Sequence, residues 1–330
     1  MKKIGFIFTY KSGATVNRIL SMANTFKNYE IHFVSPIENL HGFNNNLNNN
    51  IFFHKIPINK KKHLNFFLRY LSEFFYSLKC SQKLNSLNCD YQIVSVPFIS
   101  LIISSKLFRN KSKQVLDIRD LVWEYYDSNN FFEKIIFKTL RNIHLFFLKK
   151  YEYITLSNFF ELEKLNSDIP NNKKFVITNG IAQNKFELIQ KNKNEYLNLN
   201  KITITYIGNV GIAQNLWSFI DVIKDFKIFE FHIIGDGNDY ISISNKLIRN
   251  KINNVKLIGR VLENEVVKYY TKSHYLYAKL EPKYTTAIPS KLYEYLSTGK
   301  PIIYSGNGAS VQFLKNFENI FIIKDNKKDV

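Results

Sequence analysis

Apolar runs of strand length alternate with longer amphipathic segments from residue 3 to residue 323. Strands are expected at 3–9, 30–35, 50–56, 91–96, 114–118, 153–156 and 174–177. After residue 200 they are expected at 202–207, 229–234, 255–258, 275–278, 301–303 and 320–323. Helical patterns lie between them, among them 16–26, 64–84, 131–149, 216–226, 241–251, 263–271 and 290–296. Near-continuous apolar strands separated by helices argue for parallel sheets covered on both faces, an α/β architecture. Thirteen strands suit two doubly wound, Rossmann-like domains better than one sheet. The span from Asn179-Gly180 to about Asn200 is polar and has no strand pattern, so domains of 1–182 and 183–330 are expected. Open parallel sheets bind ligands beyond the carboxyl ends of their strands. Two such domains face to face would place a site in the cleft between them.

The bulk composition excludes several classes. The chain has 330 residues and is 45% hydrophobic, which supports a sizeable core and argues against disorder. Cys80 and Cys89 give neither a disulfide framework nor a metal spacing, and a reducing cytoplasm fits them. The apolar run after Met1-Lys2-Lys3 is too short for a signal peptide. The longest uncharged stretch, 91–105, is broken by Pro97 and falls short of the roughly 20 residues a membrane span needs. The net charge is +19, and residues 1–150 carry 22 basic against 9 acidic side chains. Lys60-Lys61-Lys62 and the group Lys106, Arg109, Lys111 and Lys113 stand out. Such clusters fit solvated surface, or attraction to an anionic membrane face at the inner side of the cell membrane. The apolar pattern 64–84 beside Lys60–Lys62 fits such a contact, and also fits a helix docked on the first sheet. No nucleic-acid-binding signature supports a nucleic-acid partner.

Four loops after expected strands look specialised. The first is Tyr10-Lys11-Ser12-Gly13-Ala14-Thr15-Val16-Asn17, whose small residues open a helix and permit close approach of phosphate or sugar; an ordinary strand-helix turn explains it too. The second is Gly208-Asn209-Val210-Gly211-Ile212-Ala213-Gln214-Asn215. The third is Gly235-Asp236-Gly237. Neither matches Gly-x-Gly-x-x-Gly, which disfavours a dinucleotide enzyme. The fourth runs from Tyr284 to Pro301. It ends in Ala287-Ile288-Pro289, opens a short helix at Ser290-Lys291, presents Glu294 and stops at Gly299. A helix N-terminus favours an anion such as phosphate, and a carboxylate one turn in can accept hydrogen bonds from a sugar diol. Arg119-Asp120 ends a buried strand. The pair reads as a structural salt bridge, or as a phosphate contact by Arg119 with Asp120 on a sugar hydroxyl or acceptor. The seven histidines are scattered and no metal cluster stands out. Gly-x-Ser-x-Gly is absent, against a serine hydrolase.

Taken in order, these segments resemble the GT-B glycosyltransferases of family 4, also called glycosyl transferases group 1, and within them the L-fucosamine transferase-like branch. The resemblance rests on 117–123 (Asp-Ile-Arg-Asp-Leu-Val-Trp), Leu156-Ser157, 177–181 (Ile-Thr-Asn-Gly-Ile), 206–211 with Ala213-Gln214, 234–237, 257–261 and 287–301. It implies a GT-B fold, with an acceptor-side first domain and a donor-binding second domain. It also implies sugar transfer from a nucleotide donor, UDP-linked, with retention and without a metal or other cofactor. The acceptor implied is a glycan or polyprenyl-linked lipid in surface-polysaccharide assembly, either lipopolysaccharide or exopolysaccharide.

Carried over by position, Glu294 would bind the donor ribose. Pro289, Ser290 and Lys291 would meet the diphosphate, as would Gly208, Asn209, Gly211 and Gln214. Gly235 and Asp236 would lie near the nucleobase with Arg260 beside them. Gly13, Ala14 and Thr15 would form a flexible loop facing donor and acceptor. Arg119 and Asp120 fall where many members place a catalytic His-Asp. The chain departs from the pattern at Thr286, where a first glutamate is usual, at Gln214, where many members have a basic residue, at His274 and at Arg119. Family members also run further and end in a helix returning to the first domain. A shortened second domain, or one that does without that brace, is therefore expected. The rival readings are a GT-B sugar-nucleotide epimerase and a non-catalytic glycan- or membrane-surface-binding protein.

Overall fold

The computed structural model describes residues 1–9, 13–37, 50–58, 66–96, 99–108, 111–125, 130–165, 168–192 and 200–324. The chain divides into two units, Met1–Asn179 and Gly180–Val330.

In the first unit, β1 (Lys3–Ile7), β2 (Glu30–Ser35), β3 (Ile51–Lys55), β4 (Tyr91–Val96), β5 (Lys113–Ile118), β6 (Tyr153–Leu156) and β7 (Lys174–Val176) form one sheet. The order is β3-β2-β1-β4-β5-β6-β7, and every described pairing is parallel. Five helices accompany them: α1 (Gly13–Asn24), α2 (Phe66–Ser86), α3 (Ser100–Leu107), α4 (Phe131–Leu148) and α5 (Phe159–Lys164). The central strands are buried beyond their first residue, as expected where helices cover both faces. Gly5 lets α2 lie directly on β1, because a Cβ there would sit 2.3 Å from Leu84 Cδ1. Asn130 starts α4 by accepting hydrogen bonds from the Phe132 and Glu133 amides.

The second unit holds β8 (Ile202–Ile207), β9 (Phe229–Ile234), β10 (Val255–Gly259), β11 (Tyr275–Lys279), β12 (Ile302–Ser305) and β13 (Ile320–Ile323). Their order is β10-β9-β8-β11-β12-β13, again parallel. Its helices are α6 (Gln183–Lys191), α7 (Leu216–Ile223), α8 (Tyr240–Arg249), α9 (Glu263–Thr271), α10 (Ser290–Thr298) and α11 (Ala309–Leu314). Aromatic rings fill this core. Phe219 stacks on Tyr277 with centroids 4.0 Å apart, and Phe231 meets both edge-on.

Strand order reverses between β1 and β4 in one sheet and between β8 and β11 in the other. Each reversal opens a crevice at the strand carboxyl ends, where ligands of open parallel sheets bind. One expectation needs correction. Gly13, Ala14 and Thr15 form the first turn of α1 rather than a flexible loop. The polar span after Gly180 has no strand among its described residues, as expected, and it also contains a helix, α6, which the hydrophobic pattern alone did not reveal. Lys60–Lys62 and Arg109 lie outside the described residues, as do Tyr10, Lys11 and Ser12.

Candidate functional site

The crevice beyond β8 and β11 collects most of the singled-out residues of the second unit. The loop after β8 carries Gly208, Asn209, Gly211 and Gln214, and the segment after β11 leads to Pro289 and α10. The two are tied together. The Glu281 amide donates to the Ala213 carbonyl at 2.9 Å, and Asn215 Nδ2 donates to Glu281 Oε1 at 3.0 Å. Lys279, buried at the end of β11, donates to Ser218 Oγ at 2.6 Å and lies 3.5 Å from Glu281.

The glycines serve backbone packing between the loops. Gly235 has φ +133°, and a Cβ there would fall 1.8 Å from the Gly208 carbonyl oxygen. A Cβ on Gly237 would fall 2.2 Å from the Val210 carbonyl oxygen. The Val210 amide also donates to the Asp236 carbonyl at 2.9 Å. The loops after β8 and β9 thus interlock through main chain, which only glycine permits. Asp236 and Arg260 are exposed, and Asn209 Nδ2 donates to Gln214 Oε1 at 3.2 Å.

Helix α10 begins at Ser290 behind Pro289 and has no side-chain cap, so its first amides point outward unclaimed by any side-chain cap. Gly299, at φ 68°, terminates it in the left-handed region. Lys291 folds back onto the loop after β8. Its Nζ lies 3.7 Å from the centroid of the Tyr206 ring and donates to the Tyr206 hydroxyl, which donates in turn to the Asn209 carbonyl. Burial pushes the Lys291 ammonium down to about 7, partly offset by the Glu294 charge. One turn on, Glu294 Oε2 accepts from Lys185 Nζ at 2.8 Å and from the Tyr270 hydroxyl at 2.7 Å. Both bonds fall on Oε2, and the side chain stays 26% exposed. Oε1 takes no hydrogen bond among the described residues. Lys185 on α6 and Tyr270 on α9 are site residues that sequence reasoning missed. Thr286, at the position of the usual first glutamate, is buried.

The crevice of the first unit holds a second polar cluster. Asp117, fully buried on β5, pairs with Arg18 of α1 through Nη2 at 2.7 Å and Nε at 3.2 and 3.3 Å. It also accepts from Ser95 Oγ on β4 at 3.0 Å and Thr155 Oγ1 on β6 at 2.8 Å. Arg18 Nη1 donates to the Ile177 carbonyl at 2.8 Å and to Asn179 Oδ1 at 3.3 Å. Arg119 donates to Thr15 Oγ1, which brings together two of the expected site residues. Beside them, Glu161 at the start of α5 is buried. Its Oε2 accepts from the Ser157 amide and hydroxyl, both at 2.9 Å, while Oε1 has no hydrogen-bond partner among the described residues.

Burial pushes the Asp120 carboxyl up to about 6, with Arg119 opposing, and pushes Glu161 well above the usual carboxylate range, with the Asp120 charge adding to it. Both groups bind protons more tightly in the folded state, so stability falls as pH rises from about 4 through their folded values. Glu161→Gln is therefore expected to flatten this dependence. The gap between the thermal midpoints at pH 5 and pH 8 should shrink by several degrees. A gap equal to that of the wild type would show that Glu161 does not fold with its proton.

Among the described residues, no group of three or more His, Cys, Asp or Glu side chains is arranged to hold a metal ion. Both cysteines are buried and free. The two marked surface concavities, about 540 and 610 Å³, lie away from these crevices. One flanks α8 and β10, and the other sits at the amino ends of β1, β4 and β5. Neither gathers the groups described above.

Residues 189–330 match the family "Glycosyl transferases group 1". That match falls within the second unit and spans less than half of the chain, and the chain has the GT-B fold. Among solved structures, it superposes on sucrose-phosphate synthase from Thermosynechococcus elongatus with a TM-score of 0.74 at 10% identity, covering 99% of this chain and 86% of that one. It superposes on Anabaena HepE in complex with UDP-glucose with a TM-score of 0.71 at 13% identity, covering 100% and 87%. WaaG, a glycosyltransferase involved in lipopolysaccharide biosynthesis, gives 0.66 at 10% identity, covering 97% and 86%. A curated relative, the uncharacterized glycosyltransferase MJ1178 of Methanocaldococcus jannaschii, is 26% identical over 160 residues. That match spans 48% of this chain and 42% of the relative.

Proposed function

We infer that this protein is a family 4 glycosyltransferase of the L-fucosamine transferase-like branch. It moves a sugar from a UDP-linked donor to a glycan or polyprenyl-linked acceptor in surface-polysaccharide assembly, on the cytoplasmic side. The observation that carries this reading is the pairing on α10 of a lysine folded onto the Tyr206 ring at the helix start with an oriented carboxylate one turn later. Lys291 and the α10 amides supply positive potential for a diphosphate leaving group. Glu294, held by Lys185 and Tyr270, offers Oε1 to the ribose diol. The bound UDP-glucose in HepE, which shares the fold, supports a UDP-linked donor. On this reading the second unit binds the donor and the first receives the acceptor. Asp120 and Arg119 contact the reacting sugar, the reaction retains anomeric configuration, and no metal or cofactor takes part.

Titration calorimetry with UDP, UDP-glucose, UDP-N-acetylglucosamine and GDP-mannose tests this reading. A UDP-linked sugar is expected to bind in the micromolar to millimolar range common for enzyme substrates. Affinity should fall as pH rises above about 7, because Lys291 loses the proton that a diphosphate favours. Folded protein that binds none of the four would overturn the proposal. The neighbouring carboxyls of half-buried Asp120 and buried Glu161 favour one rival, a sugar-nucleotide epimerase. Release of free epimerised sugar without any acceptor would decide for it.

A further inference from the structure

Helix α4 is apolar on two opposite sides, and packing among the described residues accounts for only one of them. His144, Leu145 and Leu148 are buried against the first unit. On the opposite side Phe132, Ile135, Ile136, Ile143 and Phe146 form a stripe, with Phe131 at its start. Their exposures are large: 74% for Phe132, 70% for Phe131 and 58% for Phe146. Exposed apolar residues scattered singly need no explanation, but a contiguous stripe of this size marks a contact surface. The helix also has 18 residues, about 27 Å of axis. No described helix is long and apolar enough to cross a membrane.

Charge selects the occupant. Residues 131–150 contain five basic side chains and one acid, Glu133. Arg141 turns inward to Glu124 and Asp168. Four lysines remain exposed, at 134, 138, 149 and 150. The Lys150 ammonium lies 4.3 and 4.8 Å from the ring centroids of Phe146 and Phe147, so cation and aromatic rings share one surface. A second copy docking through the same patch would set lysine against lysine, a repulsive arrangement in a two-fold contact. An anionic bilayer satisfies both halves of the pattern, taking phenyl rings at the headgroup boundary and ammonium groups among lipid phosphates. Helix α2 adds Leu68, Leu71 and Phe75, all exposed. Its Tyr70 hydroxyl lies 3.3 Å from His144 of α4.

We propose that the outer face of α4 is an interfacial helix that seats the first unit on an anionic membrane surface. The sequence directed attention to Lys60–Lys62 and the helix after them, whereas the structure assigns the principal contact to α4. The proposal stands independently of the nucleotide-sugar reading, because it uses none of the residues of the second unit.

Co-sedimentation of the full chain with vesicles tests it. Vesicles of phosphatidylcholine alone should retain little protein. Vesicles with about one third phosphatidylglycerol should bind it, and raising salt from about 0.05 to 0.5 M should weaken binding as the charges are screened. The variant F131A/F132A/F146A should lose at least about tenfold in partitioning with an unchanged melting curve, since these rings are exposed. K134Q/K138Q/K149Q/K150Q should lose comparably on anionic vesicles. Binding that neither variant weakens, or no binding to anionic vesicles, would overturn the proposal. So would a concentration-dependent dimer in sedimentation velocity that F131A/F132A/F146A abolishes, because the occupant would then be a second copy.

Discussion

Asp117→Ala is expected to destabilise the first unit by about 3–5 kcal/mol, the range found when one partner of a buried ion pair is removed. Asp117 is fully buried and accepts from Arg18, Ser95 and Thr155, thereby joining α1 to three adjacent strands. Truncation leaves the Arg18 guanidinium, whose side chain is only 5% exposed, without its counter-charge. It also strips acceptors from two buried hydroxyls. In a unit of this size the loss corresponds to a drop of roughly 10 °C in thermal midpoint. The double variant Arg18→Met with Asp117→Leu should lose clearly less than the two single losses combined, since it leaves no uncompensated charge. A single-variant loss under about 1 kcal/mol would mean that the pair is not desolvated in solution.

Glu294→Ala should weaken binding of the UDP-linked donor by about 1–3 kcal/mol, the cost of losing a charged hydrogen-bond acceptor for the ribose. That is roughly 5- to 150-fold in Kd. The site's own hydrogen bonds make the test sharper. Glu294 is clamped by Lys185 and Tyr270, so Glu294→Ala also leaves Lys185, 12% exposed in its side chain, without a carboxylate. Some loss of stability therefore accompanies the loss of affinity. A 2′,3′-dideoxyribose analogue of UDP separates the two effects. If Glu294 holds the diol, wild type should bind the analogue about as weakly as Glu294→Ala binds UDP, and the variant should not distinguish them. Equal affinity of wild type and variant for UDP would remove the ribose role. Lys185→Met retains the carboxylate but frees its orientation, and should produce a smaller loss.

Much of the fold was legible because buried parallel strands are nearly unbroken apolar runs, and thirteen such runs became thirteen strands among the described residues. The boundaries of α10 were legible from local chemistry, with Pro289 before the helix and Gly299 in the left-handed conformation after it. Helix α6 escaped because it buries little. Ile189 is its one buried residue, and Phe186 and Leu188 are partly exposed, so no apolar stripe announced it. The glycine loops were legible as turns, but not as loops that pack on each other. That role depends on Gly235 meeting Gly208, 27 positions away in sequence and in contact only across two strands. Asp117 signalled its need for a partner by interrupting a buried strand with a charge. The partner's identity carried no local signal, since Arg18 is 99 residues distant.

The same division applies to the segment from Tyr284 to Pro301. The sequence alone determined its local form, a loop, a short helix opening with a lysine and carrying one carboxylate, and a buried strand after it. Backbone preferences and hydrophobic runs act over a few residues, so they can be read in order along the chain. Tertiary structure decided how that helix is equipped. It set Lys291 on Tyr206, 85 positions away, where burial lowers its hold on a proton. It brought Lys185, 109 positions away, onto Glu294. Among the described residues it also left the outer face of α4 uncovered, which no periodicity could show, since an apolar stripe looks the same in sequence whether a protein core or a lipid surface receives it.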